Sequence, residues 1–263
     1  MTGLIHPTAI ISPNAQLADD VSVGAFAVIG EHVSIDSGTQ IASHVVIDGR
    51  THIGQHNHIH AHAVIGGVPQ DKKYRGQDTR LIIGDHNNIR EFCTINLGTV
   101  EGIGETRVGS HNWIMAYVHI AHDCVIADQC VFANGVQLAG HVEIDDYVVL
   151  GGMTGVHQFC KIGAHVMAGV SSVITQDVVP FLTVSGQPLS VHGLNSTGLR
   201  RRGFEDDDLA FLKQIHKLLF RRALMLDVAK QAIEQLAPAN KQQQNIRLTV
   251  LSFLERTDRG IAR

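Results

Sequence analysis

Ile120-Ala121-His122-Asp123-Cys124-Val125 is followed at once by Ile126-Ala127-Asp128-Gln129-Cys130-Val131 and by Phe132-Ala133-Asn134-Gly135-Val136-Gln137. The first residue of each six is large and apolar, and the fifth is small or β-branched. The same reading runs without a slip through twelve hexads, from Val108 to the one that opens at Ile174. A period of six held over that length reports a repeated structural unit rather than a bias of composition. Working outward, eleven further hexads run from Ile5 to the one at Ile65, and three more open at Ile83, Ile89 and Ile95. Of these 26 first positions, 24 are Ile, Leu or Val; Phe132 and Ala168 are the exceptions. Two stretches break the rhythm, residues 71–82 and residues 101–107.

Six residues are too few for a helix or a βα unit but suit one short strand and a corner. Three hexads then close a triangular coil of eighteen residues, and coils stack at the inter-strand spacing of ~4.8 Å. First and fifth positions should point into the prism. The second position, most often Gly, Ala or Asp, is expected to form the corner. The pattern resembles the left-handed parallel β-helix of hexapeptide-repeat proteins, and the expected class is mainly β with a C-terminal α-helical appendage. Each buried aliphatic contributes roughly 1.5–3 kcal/mol, so two dozen make a sizeable core before chain entropy is subtracted.

Composition agrees and excludes some functions. Aromatics are only 5% of the chain, so the core is aliphatic. A net charge of −4 argues against a general nucleic-acid binder. No charged-then-apolar leader and no apolar run of ~18 residues appears, which leads to the expectation of a cytoplasmic protein without an integral membrane segment. Cys93, Cys124, Cys130 and Cys160 all fall on fifth positions, where they serve as small core residues rather than disulfide or metal partners.

Pro180 should end the prism, and a linker to about Leu199 should lead into helices. Glu205 to Asp208 place negative charge at a helix start, and Arg221-Arg222 positive charge at its end. Further helices are expected over residues 227–236 and 241–255, the former stopped by Pro238. The division is a β-helix over residues 1–190, with excursions 71–82 and 101–107, and a helical part over 191–263.

Seventeen histidines need a reference against which to judge them, and the repeat supplies it. His32, His44, His56, His62, His86, His111, His141 and His165 occupy fourth positions and are structural by default. His122, at a third position, and His157, at a second, are the outliers. Hexads opening at Ile120, Leu138 and Val156 are eighteen residues apart, so His122, His141 and His157 form a column on one prism face. Counting back puts Ile95, followed by Asn96, and Ile65 on that face too. The first excursion, with Lys72, Lys73, Tyr74 and Arg75, springs from there, and an excursion of that length is usually functional. A solvated loop over scattered surface histidines is the bland reading. Three histidines could hold a catalytic zinc, as in the γ-type carbonic anhydrases, but only Asp123 offers a supporting carboxylate. A general base needs one His with a partner, which His122 and Asp123 supply.

HPTAI at the start, QDKKYRG in the first excursion, HIAHDC, LAGHV, GGMTGVHQF, IGAHVM and GLRRRGF together resemble the acyl-ACP–UDP-N-acetylglucosamine O-acyltransferases, which open lipid A synthesis. The resemblance covers nearly the whole chain. It implies transfer of a 3-hydroxyacyl group from acyl carrier protein to the glucosamine 3-hydroxyl of UDP-N-acetylglucosamine, by a homotrimer with sites between adjacent prisms, with no metal or other cofactor. His122 would be the general base, Asp123 its orienting partner, and the Gly140 N–H the oxyanion donor. Asp71 and Lys73 would contact the sugar and diphosphate, with His119, His141, His157 and Gln158 lining the site. Asn195, Arg201 and Arg202 would hold the nucleotide. Val170, where long-chain members have Gly, would be the acyl-chain ruler. The chain departs from the family at Asn96, which stands where members carry His, and at Thr197, which stands for Glu. The alternatives are the related UDP-glucosamine N-acyltransferase, usually with an extra N-terminal uridine-binding domain, and a non-catalytic β-helix scaffold.

Overall fold

The computed structural model describes residues 4–220 and 224–263; Arg221 and Arg222, assigned above to a helix end, lie outside them. The described residues form three sheets of nine, eight and ten strands, most of them two residues long. The first face runs from Ile10–Ile11 to Val173–Ile174, the second from Gln16–Leu17 to Lys161–Ile162, and the third starts at Ser22–Val23. Successive strands visit the three faces in turn, and within a face pairing is parallel, as between Ile120 and Leu138 or Leu138 and Val156. This is the left-handed parallel β-helix expected from the hexads.

First positions from Val23 upward are buried, and so are fifth-position residues such as Val45, Cys93 and Val136. None of the described residues forms a coil beneath the lowest one, where Ile5 is 48% exposed. All four cysteines are buried free thiols. Burial pushes Cys124 and Cys130 up to about 12, so they behave as apolar filling.

The corner differs from the sequence reading. The left-handed backbone falls on the fourth position, not the second: His44, His56, His62, His86, His111, Asp123, His141 and His165 all have φ between 52° and 64°. Histidine and aspartate tolerate that region better than most residues. Their rings then stack from coil to coil, as His56, His86 and His111 do at centroid distances of 5.0 and 4.8 Å. The second position is small for another reason. A Cβ on Gly24 or Gly151 would come within 2.6 Å of the backbone nitrogen of Ser43 or Val170 in the next coil.

The excursions also start and end three or four residues earlier than the lost periodicity suggested. Arg80–Ile83 and Glu105–Val108 are already strands of the second face, which leaves loops over 68–79 and 97–104. The stretch read as a linker carries structure of its own. Leu182–Ser185 adds to the third face beside Met167–Ala168 and turns into an antiparallel partner, Ser190–Leu194. The helices α1 (Ser196–Arg201), α2 (Asp206–Phe220), α3 (Leu226–Glu234) and α4 (Lys241–Arg256) follow. Three aspartates in the first turn of α2 favour its macrodipole. The C-terminal segment is strapped to the second face. Arg256 reaches Glu143 and Asp145, and Lys161 reaches Asp258 at 2.6 Å.

Candidate active site

Both excursions leave the prism at the same corner, where the chain passes from the first face to the second. Asp123, His141 and Phe159 occupy that corner in the coils immediately above. His141 stacks on Phe159 at 4.4 Å and meets His122 edge-on at 5.0 Å. The loops and the corner enclose a cleft of ≈ 780 Å³. It is lined by Gln70, Asp71, Lys72 and Lys73 from the first loop, Glu101 and Gly102 from the second, and His122, His141, Gln158 and Phe159 from the coils.

His122 is held by its neighbour. Its Nδ1 lies 2.8 Å from Asp123 Oδ2, so the buried carboxylate fixes the tautomer with the proton on Nδ1 and the lone pair on Nε2. Asp123 is itself anchored from the second loop: Thr99 Oγ1 donates to Oδ2 at 2.6 Å, and the N–H groups of Thr99 and Ile103 donate to Oδ1 at 3.0 and 3.2 Å. Its own N–H donates to Thr106 Oγ1 at 2.9 Å. Burial alone would raise the Asp123 carboxyl, but the hydrogen bonds from His122 and Thr99, with the nearby His141, outweigh it and hold the group below the ordinary aspartate range. Burial pushes His141 below the usual histidine value against the pull of Asp123.

Gly140, one coil further up, packs directly against the imidazole. A Cβ there would stand 2.6 Å from His122 Cε1 and 2.8 Å from Nε2. Its N–H meets no backbone acceptor among the described residues. Asn96 does not enter the cleft. Its side-chain amide donates to the carbonyls of Gly67 and Val68 and so fixes the root of the first loop.

The sequence-derived site residues divide into groups. His122, His141, Asp71, Lys73 and Gln158 line one cleft, with Asp123 and Gly140 directly behind the imidazole. His119 lies beside it, its Nδ1 2.7 Å from Thr94 Oγ1, and burial lowers its pKa. His157 is exposed and bonds the carbonyl of Gln158. Asn195, Arg201 and Arg202 are elsewhere, at the corner between the second and third faces. There Asn195 caps α1 and bonds the His165 carbonyl, and the Arg202 guanidinium lies 5.1 Å from the centre of the Tyr147 ring. Val170 is 72% exposed at the remaining corner. The sequence reading missed Thr99, Ile103 and Thr106, which hold Asp123, and Glu101, Gly102 and Phe159 in the wall. Thr99 to Gly102 stand at or beside a break in the period, where no register indicated which face they return to.

The ligand atoms of His122, Asp123 and His141 lie within 4.8 Å of one another, which is compatible with a cation. Both Asp123 oxygens are already taken by Thr99, Ile103 and His122, however, and a metal would have to strip those bonds. The donor set fits a carboxylate that orients an imidazole.

A parallel prism with such an imidazole at a loop-covered corner is the arrangement of a hexapeptide-repeat acyltransferase, and the bacterial transferase hexapeptide model matches residues 105–140. A second model, described as UDP N-acetylglucosamine O-acyltransferase domain 2, matches residues 177–262. The chain is 58% identical over 259 residues to the acyl-[acyl-carrier-protein]–UDP-N-acetylglucosamine O-acyltransferase of Thiobacillus denitrificans, covering 98% of this chain and 99% of that one. It is 53% identical over 262 residues to the Herminiimonas arsenicoxydans protein of the same name, covering 99% of each. Among solved structures, the UDP-N-acetylglucosamine O-acyltransferase of Moraxella catarrhalis superposes with a TM-score of 0.95 at 42% identity, covering 99% of this chain and 100% of that one. The Francisella novicida UDP-N-acetylglucosamine acyltransferase gives 0.94 at 39%, covering 98% and 94%. The chain belongs to the acyl-[acyl-carrier-protein]–UDP-N-acetylglucosamine O-acyltransferase family, and it is an enzyme.

Proposed function

We propose that the protein moves a 3-hydroxyacyl group from acyl carrier protein to the glucosamine 3-hydroxyl of UDP-N-acetylglucosamine, the opening step of lipid A synthesis, in the cytoplasm. The observation that carries this reading is the His122–Asp123 pair, 2.8 Å apart, at the wall of a cleft beside Lys73 and Gly140. With Nδ1 committed to the carboxylate, His122 Nε2 takes the proton from the sugar hydroxyl as that oxygen attacks the thioester carbonyl carbon. The tetrahedral oxyanion accepts a hydrogen bond from the Gly140 N–H. Its collapse breaks the carbon–sulfur bond, and the imidazolium returns the proton to the departing thiolate. A positioned base of this kind contributes ~10²–10⁴-fold. Asp71 and Lys73 sit where the sugar and diphosphate of the acceptor would lie, with His119, His141, His157 and Gln158 around the sugar.

Nucleotide contacts from Asn195, Arg201 and Arg202 require a second copy, because within one chain these residues and His122 stand on different corners of the prism. A homotrimer with a cleft between adjacent prisms brings them together. Phe26, Phe92, Tyr117 and Met153, exposed along the third corner, supply apolar surface for such contacts. The prism, residues 1–190, then carries the base, and the part from residue 191 onward carries the nucleotide arm. No helix among the described residues is long and apolar enough to cross a membrane.

The test is direct. Purified protein is given a panel of 3-hydroxyacyl carrier proteins with UDP-N-acetylglucosamine, and the sugar product is weighed by mass spectrometry. An acylated UDP-sugar whose ester is hydroxylamine-labile supports O-acyl transfer. No acylated product with any donor would sink the reading, and an amide formed only on a free amino sugar would point to the N-acyltransferase instead.

A further inference from the structure

Asp123 does not reach His122 as a bare carboxylate. Its side chain is fully buried, and three of the four hydrogen bonds to it come from the loop over 97–104. Oδ2 is shared between two donors, His122 Nδ1 at 2.8 Å and Thr99 Oγ1 at 2.6 Å. Thr99 is itself 1% exposed. The loop closes tightly: Gly102 runs so near the carboxylate that a Cβ at this position would collide with the Asp123 oxygens.

We propose that Thr99 is a positioning residue of the acyl-transfer reaction, acting through Asp123 on the orientation and basicity of His122; this rests on the reading of His122 as general base. A hydroxyl donating to Oδ2 withdraws negative charge from the atom that holds the imidazole N–H. It also fixes the direction in which that atom's other lone pair points. The threonine therefore limits how strongly Asp123 stabilises the imidazolium and holds the ring so that Nε2 faces the cleft. The backbone donors of Thr99 and Ile103 act on Oδ1 and cannot substitute for it. No substrate contact is required of Thr99.

Thr99→Val replaces the hydroxyl with a methyl of similar size and keeps the backbone N–H, whereas Thr99→Ser keeps the hydroxyl. With Thr99→Val, kcat should fall roughly 10- to 100-fold, as for loss of one hydrogen bond to a charged group. The acid limb of the kcat/KM profile should move to higher pH, because a less shared carboxylate stabilises the protonated imidazole more. KM for UDP-N-acetylglucosamine should stay near that of the wild type, and Thr99→Ser should recover most of kcat and the original limb. If the valine variant does not fold, Thr99→Ala, which removes volume instead of adding a methyl, carries the same test. A variant folded as the wild type with unchanged kcat and pH limb would overturn the inference. Equal loss in Thr99→Ser and Thr99→Val, with the limb unmoved, would also overturn it and leave Thr99 as packing. Failure of the wild type itself to acylate UDP-N-acetylglucosamine would instead remove the underlying reading.

Discussion

Gly140→Ala isolates the placement of the imidazole from the rest of the chemistry. The added Cβ would lie 2.6 Å from His122 Cε1 and 2.8 Å from Nε2, whereas ordinary contact begins at 3.4 Å. Relief therefore requires a displacement of about 1 Å, and a misplacement of that size in a reacting group costs on the order of 10²-fold. The ring cannot swing away without cost, because its Nδ1 is tied to Asp123 at 2.8 Å. The backbone can accept alanine, since Gly140 is not among the residues with positive φ. The oxyanion-donating N–H also survives the change. The expected result is a drop in kcat of about 10²-fold, equivalent to about 2.7 kcal/mol of transition-state stabilisation. The melting temperature and the KM for UDP-N-acetylglucosamine should change little. The assay is initial-rate formation of acylated UDP-sugar by mass, with thermal melting in parallel. A kcat within about threefold of wild type would show that His122 tolerates displacement and that its position is not critical to the rate.

Two other predictions concern the other two corners of the prism. Burial, reinforced by Arg202, pushes His165 down to about 4 from the ordinary 6.5. Between those values the unfolded chain binds a proton that the folded chain refuses, so stability should fall by on the order of 3 kcal/mol as pH drops through that window and then level off. His165→Phe, which can stack between Tyr147 and Phe181 as His165 does at 4.8 and 5.4 Å, should flatten the melting-temperature profile from pH 6.5 to 4; an unaltered slope would assign it to other groups. Val170, 72% exposed, is proposed to stop the acyl chain in the cleft between copies. Its side chain fills about two to three methylene lengths and a packed slot accepts little overfilling, so donors of about ten to twelve carbons should be preferred to fourteen. Val170→Gly should move that preference upward in a competition among donors. A wild type that favours fourteen carbons, with the glycine variant unchanged, would remove Val170 as ruler.

Most of the architecture was legible because one rule, an apolar residue every six, generates all three faces. That rule alone placed Ile65, Ile95, Ile120, Leu138 and Val156 on a shared face, as the strand register shows. It also made His122 conspicuous, since a third-position histidine breaks the local habit. The corner was misassigned because small second-position residues imitate a turn signal. They answer instead to the backbone of the next coil, a contact one full coil away that composition does not display. The hairpin over 182–194 was hidden because Pro180 read as the end of the prism, although Leu182–Ser185 extends an existing sheet and Ser190–Leu194 pairs with it. Thr99 and Thr106 were invisible as partners of Asp123 for a related reason. They lie 24 and 17 residues before it, across a loop whose length alone cannot say where it returns.

His122 as general base is tested by the kcat of His122→Ala with hydroxyacyl carrier protein and UDP-N-acetylglucosamine. The histidine is partly exposed at the prism corner and outside the apolar core, so the variant should fold and assemble as the wild type does. Its turnover should fall by at least ~10²-fold, with melting temperature and oligomeric state unchanged. A folded His122→Ala protein that turns over at a near wild-type rate would contradict that role.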